Sequence, residues 1–305
     1  MQLQQQQILV NTVAERVRNY YELTKPKIVS LLVFTSLSAT FVATRVLRAP
    51  FFPLQWILAG IAITAGSAGC DVLTSYIDRD IDAVMLRTRH RPLPSGRITP
   101  RNGLIFGLTL VALSLVLSAT FNILSFAWMA LGILDNVIVY SMLLKRRSWL
   151  NILLGGFSGG LPVMFGWSAV TPGPWGSYSL LAVVMAGLVF LWIPVHIWFL
   201  AVSYRTDYER VGVPMLPVVI GKESALRVIM LASIILFPFS IAVWSLGGFS
   251  LIYGAIALAM GIVNLVGSAF VLYRPTETNA WRMFKLSSPY LFFLFLGMIV
   301  DAALH

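Results

Sequence analysis

Long apolar runs almost free of charge dominate this chain, and each is long enough to cross a bilayer. They fall near residues 28–44, 53–75, 103–121, 123–144, 149–170, 177–203, 226–247, 249–273 and 285–304. A helix crosses the hydrocarbon layer with about 20 such residues. No water is available there for unpaired backbone groups, so each span must satisfy its own hydrogen bonds. The expected fold is an all-α membrane protein with nine transmembrane helices. One polytopic domain covers 28–305, preceded by a cytoplasmic N-terminal segment at 1–27. Of 305 residues, 58% are hydrophobic and 11% charged, which is too apolar for a soluble domain.

The basic residues test this layout independently. With nine spans, twenty of the 22 Lys and Arg fall on one side, and only Arg45 and Arg48 on the other. By the positive-inside rule the N-terminus is cytoplasmic and the C-terminus outside. The net charge of +10 then reflects topology and contact with anionic substrate and membrane lipids, not nucleic-acid binding. Cys70 is the single cysteine, which excludes an internal disulfide and a CxxC zinc or redox site. The opening MQLQQQQ reads as a polar lead-in and not as a signal peptide.

Chemistry is concentrated after the second span, in DVLTSYIDRDIDAVMLRTRHRPLPSG at 71–96. At about 100° per residue, Asp71, Asp78 and Asp82 fall within roughly 40° of one another on a helix. Ser75 lies beside them, and Asp80 points away. Aligned carboxylates repel unless a cation sits between them. Hard oxygen ligands followed by arginines suit Mg²⁺ holding a diphosphate. The plain alternative is a charged helix end capping a span, which explains one or two acids but not an aligned set. A second polar, proline-bearing loop, SYRTDYERVGVPMLPVVIG at 203–221, follows the sixth span on the same side. Two such loops on one face suggest a duplicated helix hairpin with a site between its halves.

The segment YIDRDIDAVMLRTRHRPLPSGRI resembles the aspartate-rich motif of the UbiA-type intramembrane prenyltransferases. The likeness extends to YYELTKPKIV at 20–29, LLKRRSWLNILLGGFSGGLP at 143–162 and HIWFLAVSYRTDYERVGVPMLPVV at 196–219. DYERVGVPMLP and the His-x-Trp before it are similar to the haem-farnesylating branch of that superfamily. The resemblance implies a UbiA-like bundle in the cell membrane of a prokaryote, with its active site toward the cytoplasm. It implies farnesyl transfer from farnesyl diphosphate to a vinyl group of haem B, with Mg²⁺ as cofactor. A haem A synthase or an oxidase assembly factor is a candidate partner.

Residue by residue, the resemblance implies that Asp78, Asp82 and Asp207 are catalytic and bind metal. The family places an Asn where this chain has Thr74, so Asp71 is a second candidate ligand. As a buried acid between helices, Asp71 reads equally as structural. Arg87, Arg91, Lys145 and Tyr208 are expected on the diphosphate, while Arg89, Arg97, Arg146 and Arg147 read equally as headgroup contacts. His196 is a candidate haem ligand, or else a polar residue bonded to a neighbouring helix. Asp135 and Asn136 are expected to face the bundle interior, and the glycines at 155, 156, 159 and 160 to serve close helix packing. The alternatives are prenyl transfer to an aromatic quinone precursor or a glycerophosphate lipid, and, in a different class, cation transport. The acids gather at one end of the bundle, which argues against a transport path.

Overall fold

The computed structural model describes residues 2–304, with side chains from Thr12 onward. Helix α1 (Gln2–Leu23) docks on the bundle through Leu23, which packs with Val72, Leu93 and Ile98. Tyr20 meets Phe106 edge to face at 4.9 Å. The N-terminal segment is therefore a helix held against the membrane domain. Lys25 turns the chain with a left-handed φ of 50° into α2 (Pro26–Val46).

Local sequence sets where most long helices begin. Proline occupies the first turn of α2, α3 (Pro53–Ile77) and α5 (Pro100–Ala119), where its missing N–H costs nothing. Side-chain caps add to this: Thr99 accepts from Asn102 N at α5 as well, and Asn122 from Ser125 N at α6 (Ile123–Leu134). A short helix, α4 (Arg79–Val84), follows α3 directly.

Beyond α6 the helix widens into a ten-residue π-helical run, Asp135–Leu144, a rare form that gathers at functional sites. The expected fifth span at 149–170 is broken. It folds as α7 (Asn151–Gly155) and α8 (Phe157–Ser168), with Gly156 between them. Glycines there permit close approach: a Cβ on Gly160 would lie 2.7 Å from the Ala186 carbonyl oxygen. Helix α9 (Leu180–Ser203) follows, then α10 (Arg205–Arg210) and α11 (Leu216–Val219). Three long helices finish the chain: α12 (Lys222–Gly247), α13 (Leu251–Tyr273) and α14 (Glu277–Leu304).

Helix α9 is the hub, packed by α8, α12 and α14, and α14 returns to α2 to close the bundle. Trp192, Val195, Trp198 and Phe199 of α9 are all buried in the main core. The flanks carry exposed apolar side chains such as Leu54, Val116 and Val266. Among the described residues, eight helices are long and apolar enough to span a bilayer, with mean hydropathy from 1.6 to 2.4. The protein is an integral membrane protein.

The two polar loops share a build. In each, a long helix ends at a residue outside helical geometry (Asp78 after α3, Tyr204 after α9), and a six-residue helix then carries the acids. The likeness between the two sequence segments thus extends to their local build.

Candidate active site

Asp78, Asp82 and Asp207 are 4%, 3% and 5% exposed, which is unusual for ionisable groups at the end of a lipid-embedded bundle. Each meets its own cation. Lys145 donates to Asp78 Oδ2, and Arg146 Nη2 stands 3.8 Å from Asp78 Oδ1. Arg91 Nη1 lies 2.9 Å from Asp82 Oδ2. The Arg87 backbone N–H donates to Asp207 Oδ2 at 3.3 Å, and Arg210 Nη1 is 3.6 Å from Asp207 Oδ1. The Arg87 guanidinium donates to the Tyr208 hydroxyl at 3.3 Å and lies over the Tyr204 ring.

The structure thus brings the two loops together: Arg87 of the first loop binds both Asp207 and Tyr208 of the second. Lys145 joins from the end of the π-helical run. Burial opposes its charge, but Tyr140 and Asp78 outweigh that and hold its pKa above the ordinary lysine value. The wider π turns deliver Lys145 to Asp78, and Tyr140, which was not singled out from sequence, sits beside it. Its only sequence signal is its place five residues before a candidate lysine.

Two expectations about the first loop change. The helix is not continuous through the motif, because Asp78 departs from helical geometry (φ −91°, ψ 3°) between α3 and α4. The i→i−4 backbone bonds still run across it, from Asp78 N to the Thr74 carbonyl and from Asp82 N to the Asp78 carbonyl. Asp71 turns instead to Lys25, whose Nζ reaches Asp71 Oδ1 at 2.9 Å and Thr74 Oγ1 at 3.3 Å. Ser75 donates to the Asp71 carbonyl. Asp80 does point away: its side chain is 62% exposed and paired by two bonds to Arg146, which hold its pKa down to about 2. Arg97 clamps Glu22, Asn19 and the His90 carbonyl, fastening α1 to the loop.

Magnesium fits this donor chemistry in a limited sense. Among the described residues no three Asp, Glu, His or Cys side chains gather to hold an ion by themselves. Asp78 Oδ1, however, is buried without a hydrogen-bond partner. Mg²⁺ commonly takes one or two carboxylates and completes its shell with water and substrate phosphate. Buried aspartates beside lysine and arginine side chains match that mode, with Asp78 first among them.

His196 lies apart from the acids. Its ring is sandwiched between Trp192 and Phe284, each at 4.3 Å, and Nδ1 is 2.6 Å from Ser287 Oγ on α14. Asp135 accepts from Ser158 N at 2.8 Å and Asn136 donates to Ser158 Oγ at 3.4 Å. That pair fastens the π-helical run to the start of α8.

Comparison with known proteins bears on the family and the fold. The model of the UbiA prenyltransferase family matches residues 31–296. A protoheme IX farnesyltransferase of Cenarchaeum symbiosum is 45% identical, covering 95% of this chain and 97% of its own length. That of Desulforudis audaxviator is also 45% identical, covering 95% and 90%. Among solved structures, a digeranylgeranylglyceryl phosphate synthase superposes with a TM-score of 0.77 at 21% identity, covering 95% of this chain and all of its own. A UbiA homologue from Archaeoglobus fulgidus bound to DMAPP and Mg²⁺ gives 0.64 at 17% identity, covering 91% and 99%.

Proposed function

The chain belongs to the UbiA prenyltransferase family, and we propose that it is a farnesyltransferase acting on protoheme IX, consistent with the names of its relatives. It transfers the farnesyl group of farnesyl diphosphate to a vinyl group of haem B, giving haem O. The observation that carries the diphosphate half is the meeting of Lys145, Arg91 and Arg210 with three buried carboxylates, with the Arg87 guanidinium held beside them on Tyr208.

Asp78, Asp82 and Asp207 would hold Mg²⁺, which when bound neutralises diphosphate charge and improves it as a leaving group. Arg87, Arg91 and Lys145 bind the diphosphate oxygens and spread the charge that grows as the allylic C–O bond breaks. Tyr208 donates to the same group. The vinyl carbon forms the new C–C bond, water adds at the neighbouring carbon, and a proton is lost, leaving a hydroxyethylfarnesyl chain. The apolar bundle takes the prenyl tail and keeps early water from the cationic carbon. Asp71 and Thr74, held by Lys25, would set the depth of the metal pocket from behind.

His196 would contact the porphyrin from α9, the helix that leads into Asp207. With α7 and α8 counted as a ninth crossing beside the eight long apolar helices, the N-terminus would lie in the cytoplasm and the C-terminus outside. The acidic site then faces the cytoplasm from the cell membrane of a prokaryote. A haem A synthase or an oxidase assembly factor would receive the product.

Purified protein incubated with Mg²⁺, labelled farnesyl diphosphate and haem B should yield haem O by mass. The same incubation with an aromatic acid acceptor should leave it unprenylated. Prenylation of the aromatic acid and not of haem would overturn the acceptor assignment.

A further inference from the structure

Helix α1 and the start of α5 enclose a cleft of about 450 Å³, and none of the site's acids lines it. Helix α1 contributes Arg16, Asn19 and Tyr20, while the facing wall holds Arg97, Thr99 and Asn102. Two arginines and no acid therefore border the space.

Some of these polar groups are already engaged. Arg97 is spent on Glu22, Asn19 and the His90 carbonyl, and Glu22 balances its charge. Thr99 Oγ1 accepts from Asn102 N. Asn19 gives only its side-chain oxygen to Arg97, which leaves its amide nitrogen free to donate. Among the described residues, Arg16, the Tyr20 hydroxyl and the Asn102 side chain bind no partner. One cation is thus left without a counter-charge, among neutral donors.

An arginine in open water needs no such partner, so its surroundings decide what it is for. Helix α1 exposes Val13, Val17 and Tyr21, one turn apart and each more than half exposed. That stripe runs beside Arg16, and helices with an apolar stripe flanked by arginine lie in the headgroup layer. On the other wall, Ile105 lies one turn beyond Asn102 on the same face of α5, with Leu108 a turn further, and both are more than half exposed. Tyr20 packs on Phe106 between the two walls. The cleft is thus polar at the helix ends and continues into an apolar flank of a membrane span.

We propose that this cleft binds the head group of an anionic glycerophospholipid, apart from the transferase site. A phosphodiester carries one negative charge, which matches the one uncommitted cation, and the Arg16 guanidinium can meet two of its oxygens. Asn19 and Asn102 suit the hydroxyls of a glycerol head group. The acyl chain follows Ile105 and Leu108 into the bilayer. Choline or ethanolamine would bring a second cation to a lining that has no acid, and a free phosphate would leave the apolar flank unused.

The test uses the whole protein in phosphatidylcholine nanodiscs containing a phosphatidylglycerol with a diazirine near its glycerol backbone. Crosslinks should appear within 16–20 and 97–108, and excess phosphatidylglycerol should compete them away. Arg16→Gln should lower this labelling about tenfold, and Asn102→Leu should lower it with no change of charge. Arg274→Gln, which removes an exposed cation elsewhere on the protein, should leave it unchanged. Undiminished labelling in Arg16→Gln, an equal loss in Arg274→Gln, or wild-type protein without crosslinks in these segments overturns the proposal. Competition by soluble glycerol phosphate as strong as by the lipid would also overturn it, by reassigning the cleft to a free anion.

Discussion

Two groups of buried carboxylates show how one bundle uses the same chemistry for different ends. Asp301 near the end of α14 accepts from the backbone N–H groups of Ser250 and Tyr253 and from the Ser250 hydroxyl, at 2.7 to 3.2 Å. It caps α13 from a neighbouring helix. Asp78, Asp82 and Asp207 are equally buried, but each is met by a cationic side chain, Lys145, Arg91 and Arg210 in turn. Main-chain donors fixed in a helix end cannot leave their acceptor without unwinding it. Side-chain cations can turn to a substrate phosphate by rotating a few bonds. The first arrangement stabilises, and the second is suited to exchange.

The sharpest way to break this contrast is to neutralise each group. Asp78→Asn, Asp82→Asn or Asp207→Asn should each lower turnover by about 10³-fold or more, with the protein still inserted in membrane. Chelating Mg²⁺ should do the same to the wild type, reversibly. Full activity in Asp207→Asn would detach the second loop from the site. Asp301→Ala should instead leave turnover intact at low temperature and cost about 1–3 kcal/mol of stability, since it strands buried N–H groups. Thermal unfolding followed in detergent reads the difference.

Lys25 and Asp71 stand between these extremes. Lys25→Met and Asp71→Asn should each cost about tenfold in turnover, and the double variant should be little worse, because breaking a buried pair strands whichever charge remains. Additive losses would mean that Asp71 acts apart from Lys25, as a metal ligand would. His196→Ala should weaken haem B binding about tenfold, or about 1.4 kcal/mol, without altering diphosphate affinity. A fall in melting temperature with unchanged haem kinetics would assign His196 to packing against Trp192, Phe284 and Ser287.

The smallest effect concerns Asp80. Its pKa is lowered from 3.8 to about 2 by Arg146. A depressed carboxylate stabilises the fold above its ordinary pKa, and that share is lost as pH falls from about 4 to about 2. Because Asp80 is largely exposed, Asp80→Asn should flatten stability only slightly across that window, as a series of melts would show.

Spans and acids were readable in the sequence because both signals are local. An apolar run identifies itself, as do the prolines and polar caps at its start. The aspartates and arginines stand out against lipid-facing sequence. What escaped was set by partners far along the chain. Asp71 is taken by Lys25, 46 positions away, so the helix-face alignment of Asp71 with Asp78 and Asp82 had a competitor that no spacing reveals. Arg146 looked like one of three basic loop residues until Asp80 and Asp78 approached it. The break at Gly156 and the π-helical run leave hydropathy unchanged, since neither alters which residues are apolar. They alter aim, bringing Tyr140 and Lys145 to Asp78.

The most direct measurement is calorimetric binding of a non-cleavable farnesyl diphosphate analogue, with and without Mg²⁺, to wild type, Asp78→Asn and Asp301→Asn. Binding should be Mg²⁺-dependent in the wild type, at least about 100-fold weaker in Asp78→Asn, and unchanged in Asp301→Asn. Equal binding by wild type and Asp78→Asn, or a loss in Asp301→Asn as large as in Asp78→Asn, would contradict the division between exchanging and fixed carboxylates.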